Sequence, residues 1–162
     1  MDYYGKINDD VNNKRNVLYR QIDTVSSMNK LLSTLVCERT NLMNYLINVK
    51  NRNSNSISVY LNDLIDKFDS YISFLYEQIK IKKGFPIFEL TDIENISQIK
   101  TVASIDYKET TINMNIYEEF KTIVNLINEV INCAIGEQDY YCINTLSQIK
   151  NDINKIIIKY EL

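Results

Sequence analysis

Residues 80–90, Lys80-Ile81-Lys82-Lys83-Gly84-Phe85-Pro86-Ile87-Phe88-Glu89-Leu90, end one helical pattern and open a long connection. The lysines suit the negative C-terminal end of a helix dipole, and Gly84 followed by Pro86 is a helix stop signal. The next clear helical pattern starts only near Thr110. We therefore predict a crossover connection over residues 84–107, with strand-like material at residues 87–90 and 102–105.

Two helices are predicted before this crossover. The first begins near Asp10 as its N-cap, residues 1–9 are expected to be loose, and whether residues 10–22 continue the helix is open. A polar loop at residues 51–56 separates it from a second helix over residues 57–83. Both helices carry apolar residues three and four positions apart, which marks one buried face.

Two more helices are predicted after the crossover, over residues 110–135 and 140–160. Gly136 stands where a left-handed C′ residue is wanted, and Asp139 can cap the last helix. The whole chain, residues 1–162, is interpreted as one domain, since its length is typical of one.

Loop lengths predict how these helices run. Short loops join antiparallel neighbours, whereas a crossover of about 24 residues can return the chain along a helix roughly 30–35 Å long, so that the second and third helices run parallel. The predicted fold class is all-α, a four-helix bundle with one long crossover between helices two and three.

Composition excludes several kinds of chemistry. The 162 residues include three Gly, one Pro and no His. So few turn-forming residues make a β-sandwich or a barrel improbable. Without His, neither a His-ligated zinc, haem or di-iron site nor a His general base is possible.

Charge and hydropathy bear on partners and location. A net charge of −3 gives no sign of a basic surface, so no nucleic-acid partner is predicted. No apolar run is long enough to cross a membrane, so no membrane partner is predicted. The N-terminal residues lack the pattern of a signal peptide, and Cys37, Cys133 and Cys142 are odd in number. We expect a cytoplasmic protein with reduced thiols.

Two segments resemble ferritins. Residues 83–93, Lys-Gly-Phe-Pro-Ile-Phe-Glu-Leu-Thr-Asp-Ile, are similar to the glycine-ended second helix and crossover of that family. Residues 127–130, with Ala134 and residues 138–140, are similar to the third helix end, tight turn and fourth helix start. The resemblance covers about residues 20–160 and implies a ferritin-like bundle. The composition narrows it to a strongly diverged shell protein of microsporidia, isosporin-like.

The metal chemistry of ferritins does not carry over from the resemblance. Their di-iron centre takes carboxylates from three helices and a Glu-x-x-His pair from the second. Only two positions keep an acid, and no cofactor or metal is predicted. Ligand positions fall at Val25 or Thr34, at Asp69 and Ile72, at Phe120 and at Asp152, and the acids of the three-fold pore fall near Asn144 and Ser147.

Other polar groups have simpler explanations than a site. Glu38, beside the apolar stripe of the first helix, is expected to flank the core, although it could point inward as a relic ligand. Acids of the second helix suit a solvated face, acids near the third helix start and lysines at the second helix end suit helix dipoles, and tyrosines suit cores and interfaces. These residues are Asp63, Asp66 and Asp69; Asp106, Glu109, Glu118 and Glu119; Lys80, Lys82 and Lys83; and Tyr71, Tyr76, Tyr117, Tyr140 and Tyr141.

The resulting functional hypothesis is a self-assembling shell subunit without enzymatic activity. The resemblance implies a hollow cage of 24 copies, and the lack of a ferritin fifth helix leaves a 12-subunit shell or a dimer open. The only predicted partner is the chain itself, through Phe85, Ile87 and Phe88 across a two-fold axis. The alternatives are a residual iron-storage protein and a helical adaptor that binds partner helices.

Overall fold

A computed structural model describes the backbone of residues 3–50 and 55–160 and the side chains of residues 22–50 and 56–159. The helices are α1 (Tyr3–Asn48), α2 (Asn55–Ile81), α3 (Leu90–Ile96), α4 (Glu109–Glu137) and α5 (Tyr140–Tyr160). Residues 10–22 therefore continue α1, and the segment that we expected to be loose is helical from Tyr3 onward. Of the predicted loop at 51–56, residues 51–54 lie outside the described part.

The four long helices form the predicted bundle, with α1 packed against α2 and α4, and α4 against α5. In the contacts between α1 and α4, residue numbers rise along α1 as they fall along α4. The contacts are Ser27 with Cys133, Lys30 with Glu129 and Asn41 with Glu119. Hence α1 and α4 are antiparallel. The short α1–α2 loop makes α2 antiparallel to α1 as well, so α2 and α4 run parallel, as the crossover length predicts.

The bundle core is built from isoleucine, leucine and phenylalanine. Phe68 of α2 and Phe120 of α4 are almost fully buried, with ring centroids 5.4 Å apart. Burying a side chain of this size contributes roughly 1.5–3 kcal/mol, which makes such contacts the main source of bundle stability.

The crossover contains a short helix that we did not expect, and no strand forms at residues 87–90 or 102–105. Residues 84–89 have no regular secondary structure, and α3 covers residues 90–96 with Ile93 buried. A strand needs a neighbouring strand to satisfy its backbone groups, whereas here the N–H groups of Ile87 and Val102 are bound by Asn29 and Asn41 of α1. The end of the crossover is fixed to the end of α1, because Tyr107 donates to the Asn48 carbonyl and accepts from the Lys50 N–H, both at 2.8 Å.

At the ends of α2 and α4, the residue in the left-handed conformation is not the nearby glycine. Lys83 (φ 59°) and Gln138 (φ 58°) adopt the left-handed conformation, and Gly136 still belongs to α4. Gly84 has a different reason to be glycine: an added Cβ would lie 2.7 Å from Val25 Cγ1. The crossover thus leaves α2 in contact with α1, at a distance that only glycine allows.

The cap predicted on α5 is confirmed, since Asp139 Oδ1 accepts from the Cys142 N–H at 3.1 Å.

The three cysteines are free thiols. Cys37 and Cys142 are buried and Cys133 is half-buried. Among the described helices, none has the combined length and apolar character that crossing a lipid bilayer requires.

Candidate functional site

A pair of carboxyl groups lies between α1 and α4. Glu38 is 0% exposed, and neither of its oxygens has a hydrogen-bond partner among the residues that the structure describes. Oε2 of Glu119 is buried and equally unpartnered. Burial raises the pKa of Glu38 well above its usual range, and the neighbouring Glu119 raises it further. The expectation that Glu38 flanks the core is wrong, because its side chain points inward.

A signal for Glu38 was present in the sequence, but none for Glu119. Along α1, Glu38 occupies one place in a regular series of buried positions: Leu31, Leu35, Glu38, Leu42, Tyr45 and Val49. This three-four spacing agrees with the burial of Glu38. On α4 the buried series runs through Phe120, and Glu119 beside it is half-buried.

Asn41 connects this pair to the crossover. Its Nδ2 donates to the Lys100 carbonyl at 3.0 Å and to Glu119 Oε1 at 3.3 Å, and its Oδ1 accepts from the Val102 N–H at 2.9 Å. Asn44, one turn further, donates to the carbonyls of Val102 and Ala103. Helical asparagines therefore satisfy a crossover backbone that has no strand to pair with.

Tyr45 borders the pair on the other side. It is fully buried, its hydroxyl accepts from Asn115 Nδ2 at 2.9 Å, and its ring meets Tyr107 edge-on with centroids 5.0 Å apart. Burial raises the pKa of Tyr45, and the charge of Glu119 adds to the rise, so the phenol stays neutral.

The positions assigned to ferritin ligands do not converge. Val25 packs against Gly84, Thr34 donates to the Lys30 carbonyl, and Phe120 packs in the core. Asp69 is on the surface, where Arg39 donates to both of its oxygens at 2.9 and 3.2 Å. Ile72 and Asp152 are half-buried, Asn144 is exposed and Ser147 is half-buried.

A di-iron centre does not fit the residues in the bundle. Such centres in ferritin-like proteins take Glu residues from two helices and Glu-x-x-His pairs from two others. This chain has no His, and the part that the structure describes contains no group of three or more His, Cys, Asp or Glu side chains that could hold a metal ion. Glu38 and Glu119 are two carboxyl groups, which is too few for two irons.

Most of the other polar groups lie where the simpler explanations put them. Asp63 and Asp66 are exposed, as are Lys80 and Lys83, and Lys80 lies over the Phe85 ring. Lys82 differs, because its side chain is only 7% exposed and its Nζ lies 2.6 Å from both Glu137 and Asp139. This ionic triad ties the end of α2 to the α4–α5 turn.

The residues predicted to form an oligomer interface lie along the first half of the crossover. Phe85 is 83% exposed, Phe88 68% and the adjacent Leu90 75%, while Ile87 is half-buried and its N–H is bound by Asn29 Oδ1. Phe88 also stacks on Tyr76 at 4.7 Å. A groove of about 750 Å³ next to them is lined by Val25, Gly84 and Phe85 among others. We call Phe85, Ile87, Phe88 and Leu90 the crossover surface.

Comparison with known proteins adds the fold class. No protein-family model matches the chain, and no curated protein matches it by sequence. Solved structures do match. Dps from Staphylococcus aureus superposes with a TM-score of 0.80 at 22% identity, covering 87% of this chain and 94% of that one. Antigen TpF1 from Treponema pallidum gives 0.83 at 10% identity over 88% and 91%.

A third match states the superfamily in words. The Dps protein from Vibrio cholerae O1 (TM-score 0.80, 13% identity, 88% and 89% covered) is described as a member of a broad superfamily of ferritin-like diiron-carboxylate proteins. The fold is ferritin-like. The neighbours are Dps proteins, so the narrower resemblance to microsporidian isosporin-like proteins is not supported.

Proposed function

We propose that this chain is the subunit of a closed homo-oligomeric shell that neither binds nor oxidises iron inside its bundle. The observation that carries the proposal is the crossover surface, where three large apolar side chains are more than two-thirds exposed within six residues. Soluble proteins rarely leave such a patch uncovered. A two-fold contact covers it in both copies at once, because the interface is isologous.

The structural neighbours favour the smaller of the two shells that the sequence left open. Dps proteins superpose on this chain, and Dps shells have 12 subunits. We therefore propose 12 copies in place of the 24 that the ferritin resemblance implies.

A double variant tests the interface. Phe85→Asp with Leu90→Asp puts two charges on each copy of the crossover surface, at its two most exposed side chains. Ile87 and Phe88 are poorer choices, since they contact Asn29 and Tyr76 within the subunit. We expect sedimentation to show smaller species with unchanged helix content. Val59→Asp with Met114→Asp, exposed by 59% and 68% away from the crossover, is the control.

Two results would contradict the interface proposal: unchanged sedimentation of the crossover variant, or dissociation of the control variant alone. Either would show that the assembly is held by another surface, or that the chain does not assemble.

An iron assay tests the proposed loss of enzymatic activity. Ferrous iron added under air should oxidise no faster with the protein than in buffer, as followed by ferric absorbance, because the donor set does not fit two irons. Binding of two irons per chain, lost in Glu38→Gln, would instead support residual iron storage.

The absence of nucleic-acid partners also stays a prediction. The net charge of −3 gives little attraction to a phosphate backbone, so we expect no shift of duplex DNA in a gel-shift experiment at low salt.

A further inference from the structure

We propose that Glu38 and Glu119 share one proton at neutral pH, and that this proton, not a metal ion, joins α1 to α4 beneath the crossover. The proposal rests on three buried carboxylate oxygens that have no partner among the described residues: both oxygens of Glu38 and Oε2 of Glu119. It does not depend on the shell, and it concerns two acids that the proposed function leaves unused.

Two ionised carboxylates would be costly at this place. A buried charge without a partner is strongly disfavoured, and two acids that share a site titrate jointly, one of them retaining its proton. A retained proton converts one unpartnered oxygen into a donor and gives it an acceptor on the other carboxyl group. Two of the three unpartnered oxygens are satisfied in one step.

No cation among the described residues pairs with either carboxyl: Lys100 lines a surface groove together with Glu119, but its Nζ donates to the Glu94 carbonyl. The titratable side chains that act on the pair are Cys37 and Tyr45 on α1, and Tyr107 at the crossover end acts on Tyr45. Among the described residues, α2 and α5 contribute no titratable group to either carboxyl. Burial raises the pKa of Glu119 as it does that of Glu38.

A cation is disfavoured by the number of free oxygens. Calcium takes six to eight oxygen ligands and magnesium a near-octahedral set. Near the pair, Asn41 Oδ1 already accepts from the Val102 N–H, and the Tyr45 hydroxyl already accepts from Asn115. The carboxylates alone leave any such ion with an incomplete shell.

The shared proton gives stability a definite pH dependence. Because the pKa of Glu38 is higher in the folded than in the unfolded chain, the folded state binds more protons above about pH 4.5, and stability falls as pH rises toward the folded value. One proton corresponds to a tenfold change in the unfolding constant per pH unit. Glu38→Gln removes this dependence and keeps the shape of a protonated acid.

The test combines infrared spectroscopy with unfolding. Wild-type protein at pH 7 should show the carbonyl stretch of a protonated carboxylic acid, and Glu38→Gln should lack it. In urea, Glu38→Gln should match wild type near pH 4 and become the more stable protein by pH 8, by tenfold or more in the unfolding constant. Glu118→Gln, an exposed acid next to Glu119, is the control and should follow wild type throughout.

Infrared spectroscopy decides the question even if a variant fails to fold. Absence of the protonated-acid band from wild-type protein at pH 7 would overturn the proposal. A rise in the wild-type melting temperature with millimolar Mn²⁺ or Ca²⁺, absent in Glu38→Gln, would also overturn it and show a cation site. No change with these ions, and none with EDTA, is the expected result.

Discussion

Lys82 illustrates how one residue holds two elements together. Its Nζ contacts Glu137 and Asp139, and all three side chains are largely buried. Burial alone would lower the pKa of Lys82, but the hydrogen bonds from Lys82 to Asp139 and Glu137 outweigh it and raise the pKa. For Asp139, burial acts to raise the pKa, and the bonds from Lys82 and the Cys142 N–H lower it overall.

Lys82→Met should therefore destabilise the fold by about 3 kcal/mol at neutral pH, because two acids lose their counter-charge. The loss should shrink below about pH 4, since a carboxyl with a lowered pKa contributes stability above its unfolded value and loses it on acidification. Urea unfolding at pH 7 and pH 3 measures both. Lys155→Met, which removes an exposed pair with Asp152, should cost less than about 0.5 kcal/mol. A pH-independent loss for Lys82→Met would contradict the ionic account.

The two glycines near helix ends should respond oppositely to alanine. In Gly84→Ala the new methyl meets Val25 at 2.7 Å, and we expect a loss of about 1–3 kcal/mol. In Gly136→Ala nothing lies within 4 Å and the residue is helical, so a gain of about 0.5–1 kcal/mol follows. Thermal unfolding compares the two variants. Equal effects would mean that the contact between Gly84 and Val25 is not close.

At the scale of elements, the spacing of apolar residues was sufficient to predict the four long helices. Their observed ends lie within a few residues of the predicted ones, except for the start of α1. Short α3 was not predictable in this way, because seven residues with one buried side chain give too little periodicity to distinguish a helix from a strand. The left-handed ends at Lys83 and Gln138 were also missed, since glycine stands one or two positions away from each.

The crossover is an element held by asparagines. Asn41→Ala removes three hydrogen bonds and leaves the Lys100 carbonyl and the Val102 N–H without their partner. Since a hydrogen bond contributes about 0.5–1.5 kcal/mol net and three part-buried bonds are lost, we expect a total loss of about 2–4 kcal/mol. Hydrogen exchange at the Val102 amide should accelerate. The control is Asn62→Ala, whose side chain bonds to the Ser58 carbonyl within its own helix. If Asn41→Ala leaves the protection of the Val102 amide unchanged, Asn41 does not hold the crossover.

At the scale of the whole molecule, the length of the link between α2 and α4 predicted the topology, because few paths connect parallel helices in a bundle. The candidate site was not predictable to the same degree. An acid beside an apolar stripe is usually solvated, so sequence reasoning placed Glu38 outside, and only the packing of α4 shows that Glu119 faces it. Assembly, finally, depends on surfaces of several copies, which helical periodicity does not describe.

Native mass spectrometry of the intact protein tests the central claim most directly. A closed shell of 12 chains of 19.0 kDa has a mass of about 230 kDa, and we expect that species to dominate at micromolar concentration. A species of about 460 kDa would keep the shell but restore the 24 copies implied by the ferritin resemblance. A monomer of 19.0 kDa, or a dimer of twice that mass, at the same concentration would contradict the shell.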